Sequence, residues 1–381
     1  MERNVLSAFI QASEKAANIA RACRQNAHLF ELLVQEKVDD EKNPRFVHDF
    51  KTLADVLIQE TIKHDIGEQF PELAQHIKGE ESNKFQNTLG ESITVEVKAD
   101  KDSTAALLSK VLNGDTVAAG LLADEVHKVV PLEDVNLANS TLPHKVELPV
   151  EHLGVWIDPI DATSEYIRGK ETPSTINGLY CGGLQCVTVL LGVFDRSTGC
   201  PVMGVVNQPF FIHDDDRWIG RCMWGISHND TNLNCIPKPD LSPKEKVVLV
   251  GSGESEELRE KLRASGAVVV RGVAGAGHKL VGVALGLADA YVLTRPTTFL
   301  WDTCGPHALL LSQGGGVASC ANPGMQLIYT GNVGTCNEGG IVAYRDRTFL
   351  EALLDRELQE SVLPLDPQAS GDPQASGDPP Q

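Results

Sequence analysis

Apolar side chains at Val5, Phe9, Ala12, Ala16, Ile19, Ala20, Cys23, Ala27 and Phe30 recur at spacings of three and four, which predicts one long amphipathic helix from about Asn4 to Val34. A charged loop, Asp39 to Arg45, follows. The same period restarts over Phe50-Lys51-Thr52-Leu53-Ala54-Asp55-Val56-Leu57-Ile58 and continues to about Phe70, where Pro71 closes it. Residues Ile93 to Val97 alternate like a strand, whereas Thr104 to Val111 and Val117 to Val130 read as helices. Further on, Leu184 to Phe194 and Pro201 to Asn207 flank Asp195-Arg196-Ser197-Thr198-Gly199, the composition of a hairpin connection, and Trp218 to Trp224 forms another strand. The first part of the chain is therefore long helices followed by antiparallel strands.

The pattern changes after Asn229 to Lys246, a connection carrying Pro237, Pro239 and Pro243. Strands at Val247 to Val250, Ala267 to Val270 and Ala290 to Leu293 alternate with helices at Ser255 to Ala264 and Gly275 to Ala284, an α/β rhythm. A helix then begins near Asp302 and stops at Gly314-Gly315-Gly316, and a last strand (Gly340 to Tyr344) and helix (Thr348 to Leu358) follow. The expected organisation is an N-terminal α+β half over residues 1–240, a smaller α/β half over 241–362, and a tail over 363–381. That tail repeats Asp-Pro-Gln-Ala-Ser-Gly, a composition that predicts disorder.

Charge narrows the choice of partner. With 33 Lys plus Arg against 52 Asp plus Glu, the net charge of −19 argues against a nucleic-acid footprint and against a polybasic membrane anchor. No apolar run approaches the length of a membrane span, so a cytoplasmic protein is expected. The 9 cysteines lack zinc spacing and are odd in number, which predicts reduced packing residues. An acidic protein that handles an anionic substrate needs cations to offset the repulsion.

The stretch Gly154-Val155-Trp156-Ile157-Asp158-Pro159-Ile160-Asp161-Ala162-Thr163 suggests where such cations could sit. An apolar strand runs into Pro159, which offers no ladder donor and ends the pairing. A tight turn would then bring Asp158, Asp161 and the Ile160 carbonyl around one locus, and hard cations such as Mg²⁺ take such oxygens. Thr163 opens a helix, whose free N–H groups favour an anion such as phosphate. An ordinary Asx/Pro turn with Asp161 as a helix cap fits the same residues. Gly79-Glu80-Glu81-Ser82 supplies further carboxylates or a solvated loop, Asp55 a helix-face carboxylate, and Asp302 either a ligand or a plain N-cap.

Taken together, Gly79-Glu80-Glu81-Ser82, Asp158-Pro159-Ile160-Asp161-Ala162-Thr163 and Trp301-Asp302 resemble the signature of the magnesium-dependent, lithium-sensitive phosphomonoesterases related to inositol monophosphatase and fructose-1,6-bisphosphatase. The stretches Glu14 to Arg24, Lys51 to Leu57, Leu107 to Gly114 and Gly183 to Thr188 resemble the branch of that superfamily that acts on inositol polyphosphates. The resemblance implies a layered αβαβα sandwich, lithium inhibition, and removal of the 1-phosphate from inositol 1,4-bisphosphate and inositol 1,3,4-trisphosphate by a monomer. It also implies that Glu80, Asp158 and the Ile160 carbonyl hold one Mg²⁺, and that Asp158, Asp161 and Asp302 hold a second. A third ion would sit loosely near Glu80. On the same basis Asp55 would accept a hydrogen bond from Thr163, whose hydroxyl orients the attacking water, and the N–H groups of Ala162 and Thr163 would bind phosphate. Glu81 would support the ligands from behind.

Three positions depart from the family pattern. Ala162 stands where relatives often have serine or glycine. His278 replaces a tyrosine in a loop whose Lys279 would take a second phosphate. Arg295 replaces a glutamate that binds ring hydroxyls, and an arginine there favours an extra phosphate. The nearest alternative is the branch that hydrolyses 3′(2′),5′-bisphosphate nucleotides, which Trp301-Asp302-Thr303-Cys304-Gly305-Pro306 resembles in part. A catalytically silent binding protein of the same fold is the other.

Overall fold

A computed structural model describes residues 4–25, 34–37, 50–139, 142–143, 146–172, 175–176, 178–237, 245–332 and 334–354. The charged loop Asp39 to Arg45, the prolines Pro239 and Pro243, and the repetitive tail lie outside these residues, as does the end of the last helix beyond Leu354.

In chain order the helices are α1 (Val5–Gln25), α2 (Leu53–Gln69), α3 (Lys101–Val111), α4 (Thr116–His127), α5 (Thr163–Arg168), α6 (Glu256–Ala264), α7 (Ala276–Ala284), α8 (Leu300–Leu311) and α9 (Arg347–Leu354). The strands are β1 (Val34–Glu36), β2 (Phe50–Thr52), β3 (Ile77–Gly79), β4 (Lys84–Gln86), β5 (Ser92–Thr94), β6 (Leu153–Asp161), β7 (Thr175–Ile176), β8 (Leu179–Tyr180), β9 (Thr188–Asp195), β10 (Pro201–Asp214), β11 (Arg217–His228), β12 (Thr231–Asn234), β13 (Val247–Val250), β14 (Val268–Val270), β15 (Ala290–Leu293), β16 (Gly316–Ser319) and β17 (Ile341–Tyr344).

Two sheets carry the architecture. The first runs β12-β11-β10-β9-β6-β3, antiparallel except where β3 lies parallel to β6. The second runs β14-β13-β15-β17-β16, with β13 parallel to both β14 and β15. In the second sheet the side chains alternate between two packed faces, as both-sided burial requires. Val247, Leu249, Tyr291, Leu293, Ile341 and Ala343 join the main core. Val248, Val250, Ala290, Val292, Val342 and Tyr344 pack with Leu258 and Leu262 of α6 and Leu350 of α9. Helices α1 and α2 cover the outer face of the first sheet, and α7 and α8 lie between the sheets. The expected layered αβαβα sandwich is the observed fold.

The seat of α8 is cut by glycines. Gly192, Gly204 and Gly225 form one cross-strand row through β9, β10 and β11. A Cβ at Gly204 would stand 2.0 Å from the Gly305 oxygen, and one at Gly192 would stand 2.5 Å from the Gly305 nitrogen. A helix backbone can press this close only where strand side chains are missing. Further along α8, the buried His307 ring lies between the Tyr329 hydroxyl (3.0 Å) and Gln326 Oε1 (2.8 Å), and burial pushes its pKa down to about 3. A neutral imidazole thus donates to Gln326 and accepts from Tyr329.

The structure corrects several elements. The first helix stops at Gln25 among the described residues, and Val34, expected inside it, lies in a strand paired with β2. Pairing does not end at Pro159, because β6 continues to Asp161. The glycine run 314–316 ends α8, as expected, but Gly316 also opens the unanticipated β16. Part of the anticipated linker, Thr231–Asn234, is instead the edge strand of the first sheet.

Candidate metal centre and active site

A regular strand sends residues three apart to opposite faces. Asp158 nevertheless pairs with Leu190 and Asp161 with Thr188, so three steps on β6 match two on β9. This one-residue bulge falls at Pro159, where the ladder loses a donor, and it returns both aspartates to one side. Ala162 then turns the chain through a left-handed conformation (φ 66°, ψ 42°) into α5. On the facing side α8 begins, and its Asp302 carboxylate accepts the Phe299 N–H at 2.5 Å. β3 delivers Glu80 to the same place, its N–H bonded to the Ile157 carbonyl at 3.1 Å.

One oxygen from each of Asp158, Asp161 and Asp302 falls within 4.8 Å of the others. Burial, then the neighbouring Glu80, Asp161, Asp302 and Asp55, drives the Asp158 pKa well above the usual carboxylate range. Asp302 is raised in the same way by burial, Asp161 and Glu80. Burial raises Asp161 as well, against the pull of Lys279 and of hydrogen bonds from Ala276 N (3.2 Å), Gly277 N (2.9 Å) and the Thr188 hydroxyl (3.2 Å). Asp158 Oδ1 is buried without a hydrogen-bond partner. Converging buried carboxylates with an orphaned oxygen repel one another unless a cation joins them, and an all-oxygen donor set suits a hard divalent ion. The residues fit such an ion.

These groups wall a cavity of about 450 Å³, together with Glu80, the 272–276 loop, Ser252 and Thr297. Ile160, Ala162 and Thr163 also line it.

Several expected residues lie elsewhere. Asp55 sits behind this wall and completes a capping box at the start of α2: its Oδ2 accepts the Thr52 N–H (2.7 Å) and hydroxyl (2.6 Å). The Thr163 hydroxyl bonds to the Ile160 carbonyl at 3.0 Å rather than to Asp55. Burial raises the Asp55 pKa to about 7. Glu80 stands outside the tight trio, its carboxylate 2.6 Å from Lys37 Nζ, an ammonium that also reaches Glu81 at 2.7 Å. Burial and then Glu80 raise Glu81 to about 8, and Glu81 does not line the cavity.

In the expected substrate loop, Gly275 and Ala276 line the cavity, but the Lys279 and His278 side chains turn inward. Lys279 Nζ donates to the carbonyls of Val273 (3.0 Å) and Gly275 (2.7 Å), and Lys279 does not line the cavity. His278 is buried, with Nε2 3.0 Å from the Tyr180 carbonyl and Nδ1 3.4 Å from Gln208 Nε2. Burial depresses its pKa to about 4, so it serves as a neutral tie between loops. Arg295 is exposed and lies against Gly253, beside the cavity-lining Ser252. Arg168 lines the cavity from α5 and pairs with Glu165 at 2.6 Å. The sequence carries no signal for Arg168 beyond its position five residues after Thr163.

The inositol monophosphatase family model matches residues 2–360. The chain is 42% identical over 390 residues to inositol polyphosphate 1-phosphatase of Mus musculus, covering 93% of this chain and 97% of that one. It is 41% identical over 393 residues to the Homo sapiens protein of the same name, with the same coverage. Human 3′(2′),5′-bisphosphate nucleotidase 1 is 28% identical over 220 residues, covering 56% of this chain and 65% of that one. Among solved structures, an IMPase of Thermotoga maritima superposes with a TM-score of 0.52 at 14% identity over 94% of this chain and 98% of its own, a likeness of fold. With a carboxylate-lined cavity of this build and a family match along nearly its whole length, the chain belongs to the inositol monophosphatase family.

Proposed function

We propose that this chain is a Mg²⁺-dependent, lithium-inhibited phosphomonoesterase that removes the 1-phosphate from inositol 1,4-bisphosphate and inositol 1,3,4-trisphosphate. The observation that carries the reading is the convergence of Asp158, Asp161 and Asp302 from separate segments. The names and extended identity of the inositol polyphosphate 1-phosphatase relatives support the substrate class.

In this reading Asp158, Asp161 and Asp302 hold one ion, and Glu80, Asp158 and the Ile160 carbonyl another, with a third held loosely at Glu80. Bound there, the ions would supply charge neutralisation for the phosphate, an activated water and stabilisation of the departing alkoxide. The chain's own groups do the rest. N–H groups of Ala162 and Thr163, residues that line the cavity at the start of α5, would bind a phosphate oxygen. Thr163 keeps lone pairs for a water while its proton rests on Ile160. The helper role of Asp55 requires that hydroxyl to leave Ile160 for Asp55 Oδ1, which is buried without a partner. Arg168 lines the cavity and Arg295 lies next to it, so these two, rather than Lys279 and His278, are the cations offered to a second phosphate.

No helix among the described residues is long and apolar enough to cross a membrane. The proposed enzyme is a cytoplasmic monomer acting on a small anion, and its acidic balance argues against a nucleic-acid partner or a membrane surface. The partial identity to bisphosphate nucleotidases sets the competing substrate. Phosphate release from inositol 1,4-bisphosphate and from adenosine 3′,5′-bisphosphate should differ by at least about tenfold in kcat/KM in favour of the inositol ester, roughly 1.4 kcal/mol. Preference for the nucleotide would replace the substrate assignment, and no hydrolysis of either would point to a silent binding protein.

A further inference from the structure

We infer that Gln59 is a positioning residue that sets the place of Glu80 and, through it, the affinity of the cations that Glu80 would hold. The inference rests on the metal-dependent reading above. Gln59 is fully buried on α2, four residues after Asp55 and so on the same helix face. Its amide copies a peptide group: Nε2 donates to the Glu81 carbonyl at 2.6 Å, and Oε1 accepts the Glu81 N–H at 2.9 Å. β3 ends at Gly79, so this side chain continues the pairing of the Glu80-Glu81 turn where no strand does. On the other side, the Glu80 N–H is tied to Ile157, next to Asp158. Glu80 is thus clamped through its own N–H and through its successor, and only its side chain is left to swing between Lys37 and the cavity.

Gly79 belongs to the same device. A Cβ there would fall 1.9 Å from Gln59 Oε1, far inside contact distance. Any side chain at position 79 therefore displaces the amide that holds Glu81. The Asp158, Asp161 and Asp302 trio is built by β6 and α8 and does not depend on this clamp.

The test is Mn²⁺ binding by the purified full-length chain, followed by electron paramagnetic resonance, with melting temperature measured alongside. Gln59→Ala should weaken the Mn²⁺ sites that use Glu80 about tenfold and leave one class of site, that of the Asp158, Asp161 and Asp302 trio, within about twofold. Gln59→Met, close in volume but unable to pair with Glu81, should do the same with less loss of stability. Gly79→Ala should reproduce the defect in the unsubstituted chain, yet add nothing to Gln59→Ala, where the clash is gone. All classes of site weakened in parallel, or additive effects of the two substitutions, would show a merely structural role and overturn the inference. Unchanged Mn²⁺ binding in all variants would overturn it alone. An unsubstituted chain that binds no Mn²⁺ would overturn the metal-dependent reading with it.

Discussion

Asp158→Asn should lower kcat for inositol 1,4-bisphosphate by at least about a thousandfold, roughly 4 kcal/mol of transition-state stabilisation. The proposed role gives this residue to two ions at once, and an amide offers neither the charge nor the second anionic oxygen. The fold should survive, because Asp158 Oδ1 holds no hydrogen bond that the substitution would break. In chelating buffer the variant should melt no lower than the unsubstituted chain, since one of several mutually repelling buried carboxylates is gone. Steady-state kinetics with saturating Mg²⁺ and thermal unfolding with a chelator check the two halves. Near-normal turnover would remove Asp158 from the metal site.

Gly204→Ala should destabilise the protein by about 3 kcal/mol or more, beyond most single-methyl insertions, and abolish activity without touching the cavity. The added carbon would lie 2.0 Å from the Gly305 oxygen and 2.9 Å from a Leu309 methyl. The Gly305 carbonyl is helix backbone and cannot rotate away, so α8 must lift from the sheet. Asp302 rides on the first turn of that helix, three residues before Gly305, and would leave the Asp158 and Asp161 carboxylates. Chemical denaturation measures the first effect. A stable, active Gly204→Ala protein would mean that the glycine row does not fix the helix.

These two sites show what the sequence can and cannot convey. Asp158, Asp161 and Asp302 are legible through the resemblance that three motifs carry together, since a proline in a strand and an aspartate at a helix start fit an ordinary turn and a plain N-cap just as well. The bulge that turns the two β6 aspartates to one side is not legible, since it depends on which residues of β9 lie opposite. The glycine row is hidden for the same reason: Gly192, Gly204 and Gly225 become neighbours only after three strands pair in register. His278 and Lys279 look like cavity ligands in a glycine-rich loop. The α7 start instead gives its N–H groups to Asp161, and Lys279 is spent on the carbonyls of Val273 and Gly275. Asp55 keeps its place near the site, but its Oδ2 serves the capping box with Thr52 and the Thr163 hydroxyl bonds to Ile160 instead. The positions of α1 and α2 and of the strands of the first sheet were readable from their apolar content, although burial there runs through consecutive residues, as over 53–59 of α2 and all of β6, rather than along one face.

The central claim is that buried carboxylates of distant segments hold divalent cations with which the chain hydrolyses a phosphate monoester. It is tested most directly by phosphate release from inositol 1,4-bisphosphate as Mg²⁺ is titrated into chelator-treated protein. The account predicts no release without the ion and a saturable rise to full activity with it, reversed by lithium. Release that proceeds equally well in excess chelator would contradict it.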